Sequence, residues 1–297
     1  MRKDYTIQVR GRNYHLGGRT WIMGVLNVTP DSFSDGGFYL EKEKAVKRGL
    51  ELASEGADII DVGGESTRPG SEPVSAEEEA RRVLPVISAL REKTEALISV
   101  DTTKSEVAEA ALEMGADIIN DISAFRFDSR MAALAAEKNV PVILMHMKGT
   151  PRTMQHNPTY SDLLQEVKSF LGQRIDYALS SGIKKEKIII DPGIGFGKKH
   201  EHNLTLINCL SFLNELERPI LVGPSRKSFI GKILHLPPQE RTEGTIASAI
   251  ITIIRGAHII RVHDVSAVKK AVLVADAILG ENNSTRDEMK KKESYVF

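Results

Sequence analysis

Apolar positions along the chain gather into eight short runs rich in Ile, Val and Leu, at residues 21–27, 58–63, 97–101, 117–121, 141–146, 187–191, 219–223 and 258–263. Continuous apolar runs of this length, bounded by turn residues, are the pattern of strands buried on both faces of a parallel sheet. Between most of them the periodicity changes to a helical one. Residues 41–55 and 105–114 favour helix and stop at Gly56 and Gly115, which suit a left-handed C-terminal cap. Ser75-Ala76-Glu77-Glu78 and Thr103-Lys104-Ser105-Glu106 read as capping boxes that open helices.

Three stretches repeat one another: Gly56-Ala57-Asp58-Ile59-Ile60-Asp61, Gly115-Ala116-Asp117-Ile118-Ile119-Asn120 and Gly256-Ala257-His258-Ile259-Ile260-Arg261. Each follows a helix-like segment, turns on Gly-Ala, runs through two Ile and ends on a polar residue. That is an αβ junction feeding a buried strand. Reused units of this kind point to an α/β fold, either a barrel or a doubly wound sheet. Eight strands alternating with helices over ~260 residues is the arithmetic of a (β/α)8 TIM barrel, with the open doubly wound sheet as the alternative. A barrel places its chemistry at the C-terminal ends of its strands. Here those ends read Asn27, Gly63-Gly64, Asp101, Asn120-Asp121, His146, Asp191, Gly223 and Arg261-Val262-His263. Their polarity is dense and mixed in sign, which a barrel built only to fold does not need.

Residues 4–19 precede the first strand and look like an N-terminal hairpin, turning near Gly11-Arg12-Asn13 and plugging the barrel's N-terminal mouth. Residues 1–280 form a single domain on this reading. The polar tail 281–297 carries eight charged residues and is expected to be mobile and disordered.

Composition narrows the function classes. Apolar residues make up 41% of the chain, ample for a core, and 40 basic residues balance 40 acidic ones. A nucleic-acid partner is not expected, since that needs a basic excess on one face. No apolar run approaches the ~18 residues of a membrane span. The first twenty residues are charged throughout and lack the apolar core of a signal peptide. Cys209 is the single cysteine; it reads as a small buried hydrophobe, and a cytoplasmic setting is the default.

The candidate chemistry lies in the loops after the strands. The first, Asn27-Val28-Thr29-Pro30-Asp31-Ser32-Phe33-Ser34-Asp35-Gly36-Gly37, is long for its position and reads either as a lid or as a polar surface loop. The second, Gly63-Gly64-Glu65-Ser66-Thr67-Arg68-Pro69-Gly70, offers donors suited to an anionic oxygen. Lys198 ends a Gly-rich loop and could meet phosphate, a weak signal by itself. Arg226 and Lys227 are adjacent cations after the seventh strand. Arg261 and His263 sit two apart on the eighth, where barrel phosphate sites commonly form.

Taken together, these motifs resemble the dihydropteroate synthase family, the folate-pathway enzymes inhibited by sulfonamides. The resemblance covers residues 20–280. It rests on Asn27 to Gly36, the 63–70 loop, Ser99-Val100-Asp101-Thr102, Asn120-Asp121-Ile122-Ser123, Met145-His146-Met147-Lys148-Gly149, the 191–198 loop, Ser225-Arg226-Lys227-Ser228-Phe229-Ile230-Gly231 and Arg261-Val262-His263-Asp264. No motif position departs from the family pattern. The resemblance implies a barrel, homodimeric as a rule, that joins 6-hydroxymethyl-7,8-dihydropterin pyrophosphate to p-aminobenzoate and releases pyrophosphate.

It also implies roles. Asp101, Asn120, Asp191 and Lys227 match positions that hold the pterin, and Met145 and Phe196 wall its slot. Taken alone, Asp101 and Asp191 also suit N-caps, and Met145 and Phe196 suit ordinary core packing. Asn27, Thr67, Arg261 and His263 match the pyrophosphate side, and Asn27 matches the ligand of a Mg²⁺ cofactor. For His263 the alternative is a structural hydrogen bond at the rim; His146 is open between the two. Phe33, Pro69, Lys227 and Ser228 match p-aminobenzoate contacts, and Asp35 and Arg68 match loop positions that close the site. The competing functions are a pterin-dependent methyltransferase, which has no use for a pyrophosphate site or this first loop, and an inactive pterin-binding paralogue. The dimer surface is expected on an apolar late helix such as residues 245–254, a run that equally suits a buried inner face.

Overall fold

The computed structural model of the chain describes residues 2–29, 37–66 and 70–280. Phe33, Asp35, Thr67, Arg68, Pro69 and the tail 281–297 lie outside the described residues. An antiparallel hairpin, β1 (Tyr5–Val9) and β2 (Arg12–Leu16), leads into eight parallel strands. These are β3 (Trp21–Asn27), β4 (Ile59–Gly63), β5 (Leu97–Asp101), β6 (Ile118–Asp121), β7 (Val142–Met145), β8 (Ile188–Asp191), β9 (Leu221–Val222) and β10 (Ile259–Val262). They pair in chain order, β10 pairs back onto β3, and a parallel bridge between Ile190 and Ile220 joins β8 to β9 and closes the ring. The expected (β/α)8 barrel is therefore the fold. β9 is its shortest strand because Pro219 and Pro224 flank it and carry no N–H for the ladder. Helices α1 (Gly37–Ser54), α2 (Ala76–Arg91), α3 (Ser105–Glu113), α4 (Met131–Lys138), α5 (Leu163–Ser180), α6 (His200–Asn208), α7 (Ser228–Leu234), α8 (Thr242–Ile254) and α9 (Val265–Leu279) surround it.

The sequence repeat is one structural device used three times. Gly56, Gly115 and Gly256 all take positive φ, between 98° and 108°, and end α1, α3 and α8. In each case the glycine N–H and the following alanine N–H bond back to carbonyls of the last helical turn. The third residue then ties the new strand to its neighbour twice. The Asp58 backbone N–H donates to the Ile22 carbonyl while its carboxylate accepts from the Ile22 N–H at 2.9 Å. Asp117 does the same to Ile98 at 2.8 Å, and His258 Nδ1 does it to Ile220 at 3.1 Å. The side chains thus satisfy backbone groups that the strand starts would leave orphaned.

Alternation along the strands sorts the interior into layers. Outward residues such as Ile22, Ile60, Ile98, Ile119 and Ile260 pack against the helices. Inward residues of the lower barrel, among them Met23, Ile59, Leu97, Ile118, Ile143, Ile189 and Ile259, pack on Ile7, Val9 and Leu16 of the hairpin. The plug is as expected, but its turn is Arg10-Gly11, both at positive φ, with Val9 opposite Arg12. Two residues further along each strand the inward set becomes Val25, Asp61, Ser99, Asn120, Met145, Asp191, Gly223 and Arg261.

Two local expectations are corrected. Ser75 caps α2 through the Glu78 N–H, but Thr103 caps nothing: α3 begins at Ser105, whose N–H is taken at 2.7 Å by Asp128 from the next loop. Cys209 is half-buried rather than buried, because α6 stops at Asn208 and the chain breaks into a 3₁₀ turn, Leu210–Leu216.

Asp117 illustrates how the barrel's N-terminal end is held. Its buried carboxylate accepts from Arg10, from Arg91 at 3.2 Å and from the Ile98 N–H. Asp117→Ala leaves an Arg pair and a strand N–H uncompensated and is expected to cost about 3 kcal/mol in urea unfolding, with turnover intact. A loss below about 0.5 kcal/mol would contradict this account of the junction.

Candidate active site

The terminal residues of the three repeats meet inside the barrel. Asp61 on β4 accepts a hydrogen bond from Asn120 Nδ2 on β6 at 3.1 Å and from Arg261 Nε on β10 at 2.6 Å. Arg261 also donates through Nη2 to Asp101 Oδ2 at 2.7 Å. One guanidinium from the eighth barrel strand thus bridges carboxylates from the second and third. This works because Asp61, Asn120 and Arg261 occupy equivalent positions on their strands and all face inward. Asp61 was not among the residues singled out from the sequence. The signal was present in the repeat itself, which sets Asp61 in the same place as Asn120 and Arg261. Ser99 was also missed; its buried hydroxyl faces the same layer and has no hydrogen-bond partner among the described residues.

Asp191 ends β8 and accepts from the Gly193 N–H at 2.7 Å, closing the turn into the Gly-rich loop. It is therefore a turn-former rather than a helix cap, and Asp101 is not a cap either; Thr102 accepts from the Lys104 N–H instead. Lys227 stands immediately before α7 and reaches back over the barrel mouth, its Nζ 4.2 Å from the centre of the Phe196 ring. Met145 and Phe196 form a small apolar cluster with Ile122, Met147 and Met154, apart from the main core. They wall the upper lumen beside the charged groups. Asn27 ends β3, half-buried, and Ser228 opens α7 at the surface. A cavity of about 330 Å³ adjoins Asp101, between Thr102, Lys104, Ile122, Phe127 and Pro151.

Burial governs the electrostatics. Desolvation, reinforced by the Asp61 charge and opposed by Arg261, pushes the Asp101 carboxyl up to about 7. Desolvation raises Asp191 to about 6, against the Gly193 hydrogen bond and the Lys227 charge. It lowers the Lys227 ammonium to about 8, helped by Arg261.

Other predicted groups are elsewhere. Arg226, at positive φ, forks onto Asp264 at 2.9 and 2.5 Å and so is not the second cation of the mouth. Lys198 is buried against His146 Nδ1 at 2.8 Å and the Phe196 carbonyl at 2.9 Å, behind the Gly-rich loop rather than facing a phosphate. His146 is thereby a structural acceptor. His263 Nδ1 is tied to Ser225 Oγ at 3.0 Å, so its rim hydrogen bond exists, and burial with Arg261 nearby lowers its imidazole to about 3.

A deep lumen with carboxylate and amide acceptors below, cations above and apolar walls defines a pterin-binding barrel enzyme, and a family model described as pterin binding enzyme matches residues 23–263. Dihydropteroate synthase of Synechocystis is 50% identical over 266 residues, covering 89% of this chain and 92% of that protein. The crystal structure of Yersinia pestis dihydropteroate synthase in a sulfonamide drug complex matches with a TM-score of 0.88 and 43% identity, covering 93% of this chain and 99% of that one. Xanthomonas albilineans dihydropteroate synthase with 4-aminobenzoic acid matches with a TM-score of 0.87 and 45% identity, over 93% and 99% of the two chains. The chain belongs to the dihydropteroate synthase family.

With Asp101 accepting the ring's donors, as the family resemblance implies, its raised carboxyl would make pterin binding depend on pH. A carboxylate accepts two donors and its protonated form fewer, so affinity is fully present above about pH 7 and is lost as pH falls through that value. Calorimetry with a dihydropterin should show affinity falling about tenfold per pH unit between about pH 6.5 and 5.5. A constant affinity over that range would contradict this placement of Asp101.

Proposed function

We propose that this site joins 6-hydroxymethyl-7,8-dihydropterin pyrophosphate to p-aminobenzoate, giving 7,8-dihydropteroate and pyrophosphate. The observation that carries the proposal is that Arg261 bonds to Asp61 and Asp101 and Asn120 bonds to Asp61 inside the barrel, with Lys227 against the Phe196 ring. A pterin's aminopyrimidinone edge carries adjacent NH₂ and N3–H donors, flanked by a ring nitrogen and a carbonyl that accept; carboxylate and amide oxygens accept from the donors. Asp101, Asn120 and Asp191 hold that edge, Lys227 donates to the ring carbonyl or a ring nitrogen, and Met145 and Phe196 sandwich the ring. Asn27, Thr67, Arg261 and His263 take the pyrophosphate. Phe33, Pro69, Lys227 and Ser228 receive p-aminobenzoate, and Asp35 and Arg68 close the loops over it. For Phe33, Asp35, Thr67, Arg68 and Pro69 the family resemblance supports these roles.

The reaction breaks the bond between the pterin methylene carbon and the pyrophosphate oxygen, and that oxygen keeps the electron pair. The electron-rich dihydropterin ring stabilises the resulting methylene cation. The aniline nitrogen of p-aminobenzoate then forms the C–N bond and releases a proton to water. The aniline is already a free nucleophile at neutral pH, so no strong general base is required. The protein's tasks are to fix the ring, to offer Arg261 Nη1 and His263 to the departing anion, and to exclude water.

The donor set near Asn27 suits Mg²⁺ that arrives with its substrate. Among the described residues no group of three or more His, Cys, Asp or Glu side chains is placed to hold a metal ion. Asn27 offers one neutral oxygen, and Mg²⁺ retains waters and prefers phosphate oxygens for its remaining ligands. When bound, Mg²⁺ would neutralise charge on the leaving pyrophosphate.

The assembly is a homodimer through the outer faces of α8 and α9. There Ile251, Ile254, Leu273, Val274 and Ile278 are exposed, while Ser248, Ala249 and Ile253 of the same α8 pack inward, so the 245–254 run has one exposed apolar side and one buried side. Cytoplasm is the compartment expected from the single cysteine. Among the described residues no helix is long and apolar enough to cross a membrane.

Incubation with both substrates and Mg²⁺ should release pyrophosphate only when p-aminobenzoate is present, with equimolar dihydropteroate. Dihydropterin binding without turnover would mark an inactive paralogue instead. Lys227→Ala should lower kcat/KM for the pterin substrate about a hundredfold and weaken dihydropterin binding alongside; a defect confined to p-aminobenzoate would remove Lys227 from the pterin. Val274→Glu should convert a dimer to monomer in sedimentation velocity, and a monomeric wild type would refute the assembly.

A further inference from the structure

Asp61 has no part in the roles above, yet it is the most buried charge of the lumen. Its side chain is fully buried, whereas those of Asp101 and Arg261 keep 11% and 21% of their exposure. Asp61 therefore lies beneath the groups that a ligand reaches. The layer below it is wholly apolar, and a barrel that only had to pack would continue that layer upward. A carboxylate here is costly unless its lone pairs are engaged. Among the described residues they are engaged by two donors from opposite sides of the barrel, Asn120 Nδ2 and Arg261 Nε.

We infer that Asp61 is a positioning residue that sets the polarity of Asn120 and the orientation of the Arg261 fork, an inference that rests on the pterin reading of this site. A side-chain amide has two chemically opposite ends. Beside the Arg261 guanidinium, Asp61 is purely an acceptor, so the amide nitrogen of Asn120 must face it. The Asn120 Oδ1 is then left for the lumen. Seen from sequence alone, Asn120 offers either a donor or an acceptor. With Asp61 behind it, Asn120 presents an acceptor, as Asp101 does. The floor of the site becomes a surface that accepts hydrogen bonds, matched to the amino and ring N–H donors of the pterin and mismatched to a ring that presents a carbonyl at those positions. The same carboxylate holds Arg261 through Nε, which directs Nη2 to Asp101 and leaves Nη1 off both carboxylates. Specificity for the aminopyrimidinone edge is thus set one layer below the residues that touch it.

The test compares wild type, Asp61→Asn, Asn120→Ala and the double variant, using 6-hydroxymethyl-7,8-dihydropterin as the probe. It lacks pyrophosphate and so isolates the ring from the anion site. Asp61→Asn lets the Asn120 amide turn either way and is expected to weaken the probe's Kd about tenfold or more, with KM for p-aminobenzoate within about twofold of wild type. Added to Asn120→Ala, the same substitution should weaken Kd by clearly less than it does alone, the remainder passing through Arg261 and Asp101. An equal loss on both backgrounds would mean that Asp61 does not act through Asn120 and would overturn the inference. A measurement on the wild type keeps the test independent of how Asp61→Asn affects folding. The Asn120 side-chain NH₂ should already be protected from hydrogen exchange without ligand. Protection that appears only when the probe binds would place the nitrogen toward the lumen and overturn the inference. Failure of the wild type to bind the probe defeats the pterin reading itself. Binding by the wild type with an unaltered Kd in Asp61→Asn defeats this inference alone.

Discussion

Arg261 lies between Asp61 and Asp101 in the upper lumen, and the rest of the site is arranged around that contact. A guanidinium and two carboxylates are each expensive to bury, and each is tolerable only because the others are there. The contact joins the second, third and eighth strands of the barrel across its interior. It fixes the side chains on the floor before any ligand arrives, which is the condition for electrostatic preorganisation. It also sets the protonation of the neighbours. Asp61 helps raise Asp101, and Arg261 helps lower Lys227 and His263, so the lumen holds groups that titrate close to neutrality beside one that does not.

The two ends of the barrel solve the same burial problem with different purposes. At the N-terminal end, Asp58, Asp117 and His258 bond to strand N–H groups and knit neighbouring strands together under the hairpin plug. Three residues further on, Asp61, Asn120 and Arg261 turn the same spacing inward and bond to one another. One repeated unit therefore supplies a structural polar residue at its start and a lumen polar residue at its end. The apolar layer between them, with Ile59, Ile118 and Ile259, separates the two networks and keeps the lower one out of the chemistry.

Much of this was legible in the sequence for a physical reason. Strands buried on both faces must be apolar, so a polar residue inside one is conspicuous, and the eight strand ends with Asn27, Asp101, Asn120, Asp191 and Arg261 followed directly. What stayed hidden was pairing across the barrel. Arg226 and Lys227 are neighbours in sequence, but only the fold reveals that Asp264 takes the first. Lys198 ends a Gly-rich loop that suits phosphate, but its stem runs into the interior toward His146. The misplaced start of α3 has the same origin: its cap, Asp128, comes from a different loop. Asp61 escaped notice because its strand runs on to Gly63, and its importance comes from partners 59 and 200 residues away.

The measurement that bears most directly on this account is a crystal structure with 7,8-dihydropteroate bound. The account predicts the pterin ring in the lumen between Met145 and Phe196, its N–H edge on Asp101 and Asn120 Oδ1, with Asp61 still bonded to Asn120 Nδ2 and Arg261 Nε. A pterin outside the lumen, or an Asn120 amide turned so that its nitrogen meets the ring, would contradict it.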